Sequence, residues 1–416
     1  MLALKEITPL TTYAARQTTK NDGLILNRIA FVLLWLFVFT IPMTQATEIP
    51  MIGTISRVAG LAAMAAGVVA VVARRQVRLL GPAHMAMAGF ILWSAVTLCW
   101  SVAPRLTVQR VMTYLQLFVL VLLLWELCVE EKDILRILSG FVLGTMLPAL
   151  STLKAFLPGQ ETLLQRASVD GYDPNQLAFL LALSLPVAYY LILREKGLTV
   201  SLYRLQMGFA VCAVLLTGSE SSMIAMAVGL SLVLWTFRTV PVRTWTNASV
   251  IVILLVGGLV ALVPSQVWQG IAEQTRKGDI ALTAVMNQGI ERVHSTPIGG
   301  FGAGTQARPD AAALPTSFTM FAETGVVGVT CFLAVLGVLV LAAERMSGVN
   351  RSFWFTSLAV WLVGALSLNW DCSQPAWLIF GLLAGHSACL RSERAAQMES
   401  AEKQAYCFEE HAEVCS

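Results

Sequence analysis

This sequence predicts an all-α, polytopic integral membrane protein of about twelve transmembrane helices. Three observations carry that expectation. Charged residues make up 13% of the chain and apolar residues 56%, whereas a soluble domain carries about a quarter charged residues. The apolar residues fall in blocks close to a bilayer-spanning length, separated by short charged or Gly/Pro-rich pieces. The mean hydropathy is +0.71. An ordinary cytosolic enzyme is excluded. Helices are expected rather than barrel strands, because a lipid-exposed backbone must satisfy its own hydrogen bonds and the runs are too long and apolar for strands. Twelve spans of roughly 20 residues each leave no room for a separate soluble domain.

Each span is read against its own breakers. Residues 1–28 are polar, and no small-residue cleavage site follows the first apolar block, so a cleavable signal peptide is not expected. The first span covers 29–46. The second, 52–73, stops at Arg74-Arg75, and the third, 82–100, starts at Pro82. The fourth, 108–128, and fifth, 134–157, are parted by Glu130, Glu131, Lys132 and Asp133. A polar loop at 158–175 leads to the sixth, 176–193, which ends at Arg194-Glu195-Lys196. The seventh, 203–217, and eighth, 221–237, are separated only by Thr217-Gly218-Ser219-Glu220, a tight hairpin or a single broken helix. The ninth, 248–264, completes a block of nine spans over 29–264. The only long loop, 265–317, precedes spans 318–343, 353–369 and 375–390 within 318–390, and long loops usually carry function. The tail 391–416 is polar, acidic at its end, and reads as disordered or weakly helical.

Lys and Arg set the orientation. With the N-terminus inside, 19 of the 28 basic residues fall in cytoplasmic segments. That bias supports an even number of spans and both termini in the cytoplasm. The net charge of +3 gives no reason to expect a nucleic-acid partner. Of the eight cysteines, Cys99, Cys128, Cys212, Cys331 and Cys389 read as small hydrophobes in or beside spans, and Cys407 and Cys415 lie in the tail. No CxxC or Cys/His spacing occurs, so no metal site is expected.

The outer side carries the chemistry-bearing residues. Its nine basic residues are Arg57, Arg105, Arg110, Lys154, Arg166, Arg276, Lys277, Arg292 and Arg308. Arg57 is expected about a turn inside the second span, and Arg105 and Arg110 flank the start of the fourth. Guanidinium groups gathered at one face suit a phosphate headgroup, which the planar fork binds bidentately; snorkelling to lipid phosphates is the plainer alternative. The middle spans hold almost no ionisable residues, which disfavours a transporter or channel, whose charges sit near the midplane. Of the four histidines only His294 lies outside, where it is a general-base candidate or a solvated loop residue. Glu323 lies just inside the tenth span, and must pair with an outer arginine or serve as a base. Asp173-Pro174-Asn175 reads as a turn and helix start with side-chain caps.

Four segments carry a family resemblance. Residues 166–193 read RASVDGYDPNQLAFLLALSLPVAYYLIL, and 215–234 read LLTGSESSMIAMAVGLSLVL. TPIGGFGAGTQ follows at 296–306 and SFTMFAETGVVGV at 317–329. In order and spacing these resemble the O-antigen ligase and polymerase family of bacterial surface-polysaccharide assembly, with weaker similarity at 98–125 and 370–385. The resemblance implies a GT-C-like inner-membrane glycosyltransferase with a long periplasmic loop. Such an enzyme passes a glycan from an undecaprenyl-diphosphate carrier to a polysaccharide or lipid A core acceptor, with no cofactor or metal, and can work beside other polysaccharide-assembly proteins. It implies that Arg57, Arg105, Arg110, Arg166 and Arg292 hold the diphosphate, with Asp173 and Asn175 at the same binding site, and that His294 or Glu323 is the base. A family arginine after LTGS is replaced here by Glu220, which is expected to pair with a neighbouring arginine. Another is replaced by Leu282, and the His-Asn pair of the ligase branch by Leu314-Pro315. These replacements support an alternative, a non-catalytic membrane subunit that binds lipid-linked glycan in an export complex.

The basic bias yields a direct expectation for topology. Reporter fusions at Arg78, Arg194 and Arg243 should report cytoplasm, and fusions at Gln160 and Arg276 the opposite side. An outside signal at Arg194 would break the twelve-span reading.

Overall fold

The structure is a computed structural model describing residues 25–43, 48–49, 53–75, 77–155, 173–236, 298–305 and 316–414. Helix α1 (Ile25–Met43) ends in a tighter 3-10 turn over Ile41–Met43. It is followed by α2 (Ile55–Arg74), α3 (Pro82–Val96), α4 (Pro104–Leu127), α5 (Glu131–Ala155) and α6 (Pro174–Arg194). Then come α7 (Leu198–Thr217), α8 (Glu220–Thr236), α9 (Thr316–Glu344), α10 (Gly348–Ser367) and α11 (Gln374–Val414). The described strands form one short ribbon, in which β1 (Glu48–Ile49) pairs antiparallel with β2 (Gly53–Thr54). Among the described residues, eight helices are long and apolar enough to cross a membrane: α1 to α7 and α9. Apart from that ribbon the described elements are all helical, as in a polytopic membrane protein.

Helix starts follow local chemistry. The Thr54 side chain accepts the Arg57 N–H at 3.3 Å to cap α2, and Asp173 accepts the Asn175 N–H at 2.9 Å to cap α6. Pro82, Pro104 and Pro174 each occupy a first helical position, where no amide hydrogen is missed. Gly218, left-handed at φ 64°, ends α7, so spans seven and eight are two helices joined by a tight turn.

Several boundaries differ from expectation; α7 and α10, for example, start at Leu198 and Gly348 rather than at 203 and 353. α1 starts at Ile25 rather than 29 because Ile25-Leu26 already continue its apolar face. α4 starts at Pro104 rather than 108, which places Arg105 and Arg110 inside the helix. The tail is helical to Val414, consistent with its run of Ala, Glu, Gln, Lys and Met, which are good helix formers. Span 248–264 and most of the long loop lie outside the described residues.

Helix α6 is the central element. Of its apolar window 89% is buried, against 28–56% for the other candidate spans. Its sequence is apolar on every face, as an encircled helix requires. α5, α7, α8 and α10 pack around it. Gln206 of α7 donates to Thr145 of α5 at 2.9 Å and to Ser184 of α6 at 2.8 Å, tying three helices where no water competes. The same end of the bundle as the α5 N-terminus is closed by charge. Arg194 pairs with Glu131 at 3.1 Å, and Trp354 Nε1–H donates to His386 Nδ1 at 2.9 Å. Arg74 pairs with Glu126 at 3.3 Å.

Small residues set the approach of α8 to α6. A Cβ on Gly229 would stand 3.2 Å from Pro186 Cδ and 3.3 Å from the Ala182 carbonyl oxygen. Gly229→Leu should therefore overpack the contact and cost about 1–3 kcal/mol, with Gly229→Ala costing less. The thermal midpoint of the detergent-purified protein reads this. An unchanged midpoint in the Leu variant would refute the close α6–α8 contact.

Candidate functional site

Four of the sequence segments singled out above meet at one end of the bundle. They are the α3–α4 connection, the glycine turn at 298–305, the start of α9 and the loop between α10 and α11. The glycine turn explains the meeting. Gly300, Gly302 and Gly304 all have positive φ, 65°, 105° and 81°, a region in which a side chain is strained. This backbone lets Phe301 N–H donate to the Ala322 carbonyl and Gly302 N–H to the Glu323 carbonyl, both at 2.9 Å.

Helix α9 is broken at that contact, where Gly325 adopts φ 65°. A Cβ on Gly325 would lie 2.2 Å from the Ile298 carbonyl oxygen, and one on Gly300 would lie 2.5 Å from the Glu323 carbonyl. Two backbones touch with no room between them. The α3–α4 connection grips the other side of the turn. Trp100 Nε1–H donates to the Gly299 carbonyl at 3.2 Å, Val102 N–H to the Phe301 carbonyl at 3.1 Å, and Ala303 N–H to Thr97 Oγ1 at 3.1 Å. Trp93 Nε1–H donates to the Thr324 carbonyl at 2.9 Å, satisfying a carbonyl beside the break.

Arg110 lies at the centre of this end. A Cβ on Gly304 would meet Arg110 Cβ at 2.8 Å, so only glycine lets the turn pass over the arginine stem. The Arg110 side chain is 10% exposed. It donates to Asp371 Oδ2 at 3.3 Å and Cys372 Sγ at 2.9 Å, and faces Glu323 Oε1 at 3.6 Å. Tyr114, one turn along α4, donates its hydroxyl to Asp371 Oδ2. The Trp377 indole holds the Asp371 carbonyl at 2.7 Å. One guanidinium therefore binds two buried carboxylates from two other parts of the chain.

Beside this cluster opens a cavity of about 420 Å³ between α2 and α4. Thr54, Ser56, Arg57, Thr113, Cys372 and Gln374 line its part nearest the glycine turn. Deeper in, Leu61, Met64, Leu117, Leu120 and Leu123 line it, one to three turns along the same two helices. It is polar at one end and apolar along its length. Arg57 is exposed at the polar rim and has no ion pair among the described residues.

The residues expected at the site fall into three groups. Arg110 and Glu323 are in contact, and Glu323 takes the structural pairing rather than an open position. Arg57 lines the adjacent cavity, while Arg105 is exposed on the first turn of α4. Asp173 and Asn175 form the α6 cap. Arg166, Arg292 and His294 lie outside the described residues. Glu220 is exposed and has no ion pair among the described residues. Asp371, Tyr114 and Cys372 are residues that sequence reasoning missed. An ionisable group at a span boundary, Asp371, was the available signal. Among the described residues no group of three or more His, Cys, Asp or Glu could hold a metal ion.

No family model matches this sequence, and no curated protein matches it.

Removing one partner of a buried ion cluster leaves uncompensated charge, at about 3–5 kcal/mol. Arg110→Gln should lower stability by that order, and Arg105→Gln by little. Adding Asp371→Asn to Arg110→Gln should restore part of the loss. Denaturant unfolding of the purified protein checks all three. Equal stabilities for the Arg110 and Arg105 variants would show that the cluster does not hold this end together.

Proposed function

We propose that this protein is an inner-membrane, inverting glycosyltransferase of the O-antigen ligase and polymerase type. Its donor is a glycan on an undecaprenyl-diphosphate carrier, and its acceptor a sugar hydroxyl of a polysaccharide or lipid A core at the periplasmic face. The single observation that carries the reading is the cavity between α2 and α4. A guanidinium at its rim and an apolar wall running deeper into the bundle match a diphosphate joined to an isoprenoid chain. The convergence of the glycine turn, the AETGVVG helix entry and the α3–α4 connection around Arg110 adds to the resemblance of those segments.

In this reading the chain crosses the membrane twelve times in a GT-C-like arrangement, with both termini cytoplasmic. The apolar stretch 248–264 falls between α8 and α9 in the chain and would supply the return crossing that this count requires. The acceptor oxygen attacks the anomeric carbon in line. The bond from that carbon to the diphosphate oxygen breaks, and the electron pair leaves with the diphosphate. Arg57, Arg105, Arg166 and Arg292 stabilise that charge as it develops. The acceptor proton passes to a base, for which His294 is the candidate. Glu323 is weaker in that role because it is held by Arg110.

Transfer by the purified full chain, given lipid-diphosphate glycan and acceptor, tests this. Arg57→Ala and Arg166→Ala should each lower the rate about a hundredfold, the scale of losing one preorganised charge donor, while the lysine variants recover part of it. His294→Gln should cost a similar factor if the imidazole is the base. Donor binding without transfer by the unaltered chain would favour the non-catalytic subunit reading, which the replacements at Glu220, Leu282 and Leu314 support. Absence of donor binding would refute both.

A further inference from the structure

The end of the bundle away from the glycine turn carries a second, smaller cavity. It measures about 120 Å³ and lies where the N-terminus of α3, the last turns of α9 and the middle of α11 meet. That volume holds several waters, and so a tetrahedral oxyanion. Its polar lining is rich in donors: Arg345, Arg391, His84, Trp125 and Ser387, with no Asp or Glu among the lining residues. Neither arginine makes an ion pair among the described residues. Arg391 Nε donates to the Ser387 carbonyl at 3.2 Å, which steadies its guanidinium beside the cavity.

Two further donors at this site have no acceptor among the described residues. His84 is 1% exposed, and its Nδ1 accepts the Gly81 N–H at 3.2 Å, so the neutral ring carries its proton on Nε2. His84 Nε2 and Trp125 Nε1 are both buried without a hydrogen-bond partner among the described residues. Buried N–H groups are rarely left so. The α3 N-terminus at Gly81–Pro82 adds the positive end of a helix dipole to the same wall. The charged and donor side chains among the lining residues favour negative charge, and no lining residue carries a carboxylate.

We infer that this cavity binds a phosphate group, at a site distinct from the glycosyl-transfer site and independent of that reading. Its surroundings favour the headgroup of an anionic phospholipid. Leu341 borders the cavity and is 52% exposed on the membrane-facing side of α9, so an acyl chain has an apolar path from the site. A soluble phosphate would meet the same donors from the aqueous side, since Arg345 and Arg391 are exposed.

The test is thermal unfolding of the full chain in neutral detergent, titrated separately with phosphatidylglycerol, phosphatidylcholine and inorganic phosphate. Phosphatidylglycerol should raise the midpoint, and phosphatidylcholine should not. Arg345→Gln combined with Arg391→Gln should weaken the apparent affinity at least about tenfold. Arg351→Gln, an exposed arginine outside the cavity, should behave as the unaltered chain. Both cavity arginines are exposed, so the ligand-free midpoint of the double variant should stay close to that of the unaltered chain. A shift that inorganic phosphate reproduces, and that the double variant loses, supports the site with a soluble phosphate as its source. No shift with either phosphate probe, or a shift retained in the double variant, overturns the proposal.

Discussion

A guanidinium placed two turns inside α4 cannot remain unpaired away from water, and the way Arg110 is neutralised organises one end of the molecule. Asp371 comes from the loop between α10 and α11, and Glu323 from the first part of α9. The three meet only if α4, α9 and that loop hold a fixed depth relative to one another. Tyr114 and Trp377 then fix the Asp371 side chain and main chain, so the acceptor is positioned before the arginine reaches it. In hydrocarbon such a cluster has no water to fall back on, and its geometry is correspondingly specific.

The glycines follow from that constraint. Glu323 must sit beside Arg110 while its own carbonyl accepts from Gly302, and α9 must break immediately afterwards. Only a residue without a Cβ permits the 2.2 Å approach at Gly325 and the passage of Gly304 over the Arg110 stem. The glycine turn is therefore a packed backbone joint. The Phe301, Gly302 and Ala303 amides at its centre are committed to Ala322, Glu323 and Thr97, and so are not offered to a phosphate. The anion-binding role in the proposed reading passes instead to side chains at the neighbouring cavity.

Much of this was legible in the sequence. Blocks of near-uniform apolarity bounded by charges gave the helices, because in a membrane both the length and the backbone bonding are dictated by the solvent. Pro104 and Pro174 and the Asp173 cap mark helix starts that local chemistry alone can explain. The pairing of Glu323 with an outer arginine was one of two readings open from its depth, and Arg110 is that partner. What could not be read is equally physical. Asp371 sits among Trp, Cys and Ser in a short connection, and nothing local says it folds back onto α4 rather than facing water. The α2–α4 cavity is tertiary, made by residues of α2, α4 and the connection between α10 and α11 that lie far apart in the chain. The helical tail defeated a polarity argument because polar residues with high helix propensity continue a helix that packing has already nucleated.

The arginines at the glycine end divide by what they can still do. Arg110 is held by Asp371, Cys372 and Glu323, and formally the cluster contains two carboxylates and one guanidinium. Such a group offers little attraction to a diphosphate and would repel it if approached closely. Arg57 and Arg105 differ, being exposed and without ion pairs among the described residues, with Arg57 on the rim of an amphiphilic cavity. An anion drawn to Arg57 would be kept from sinking farther by the acidic pair behind Cys372, while the apolar wall receives its tail. Attraction at the rim, repulsion behind it and hydrocarbon along α2 and α4 together fix the depth of an amphiphile. A lipid-linked donor needs that depth fixed, because its reacting carbon is bonded directly to the diphosphate and moves with it.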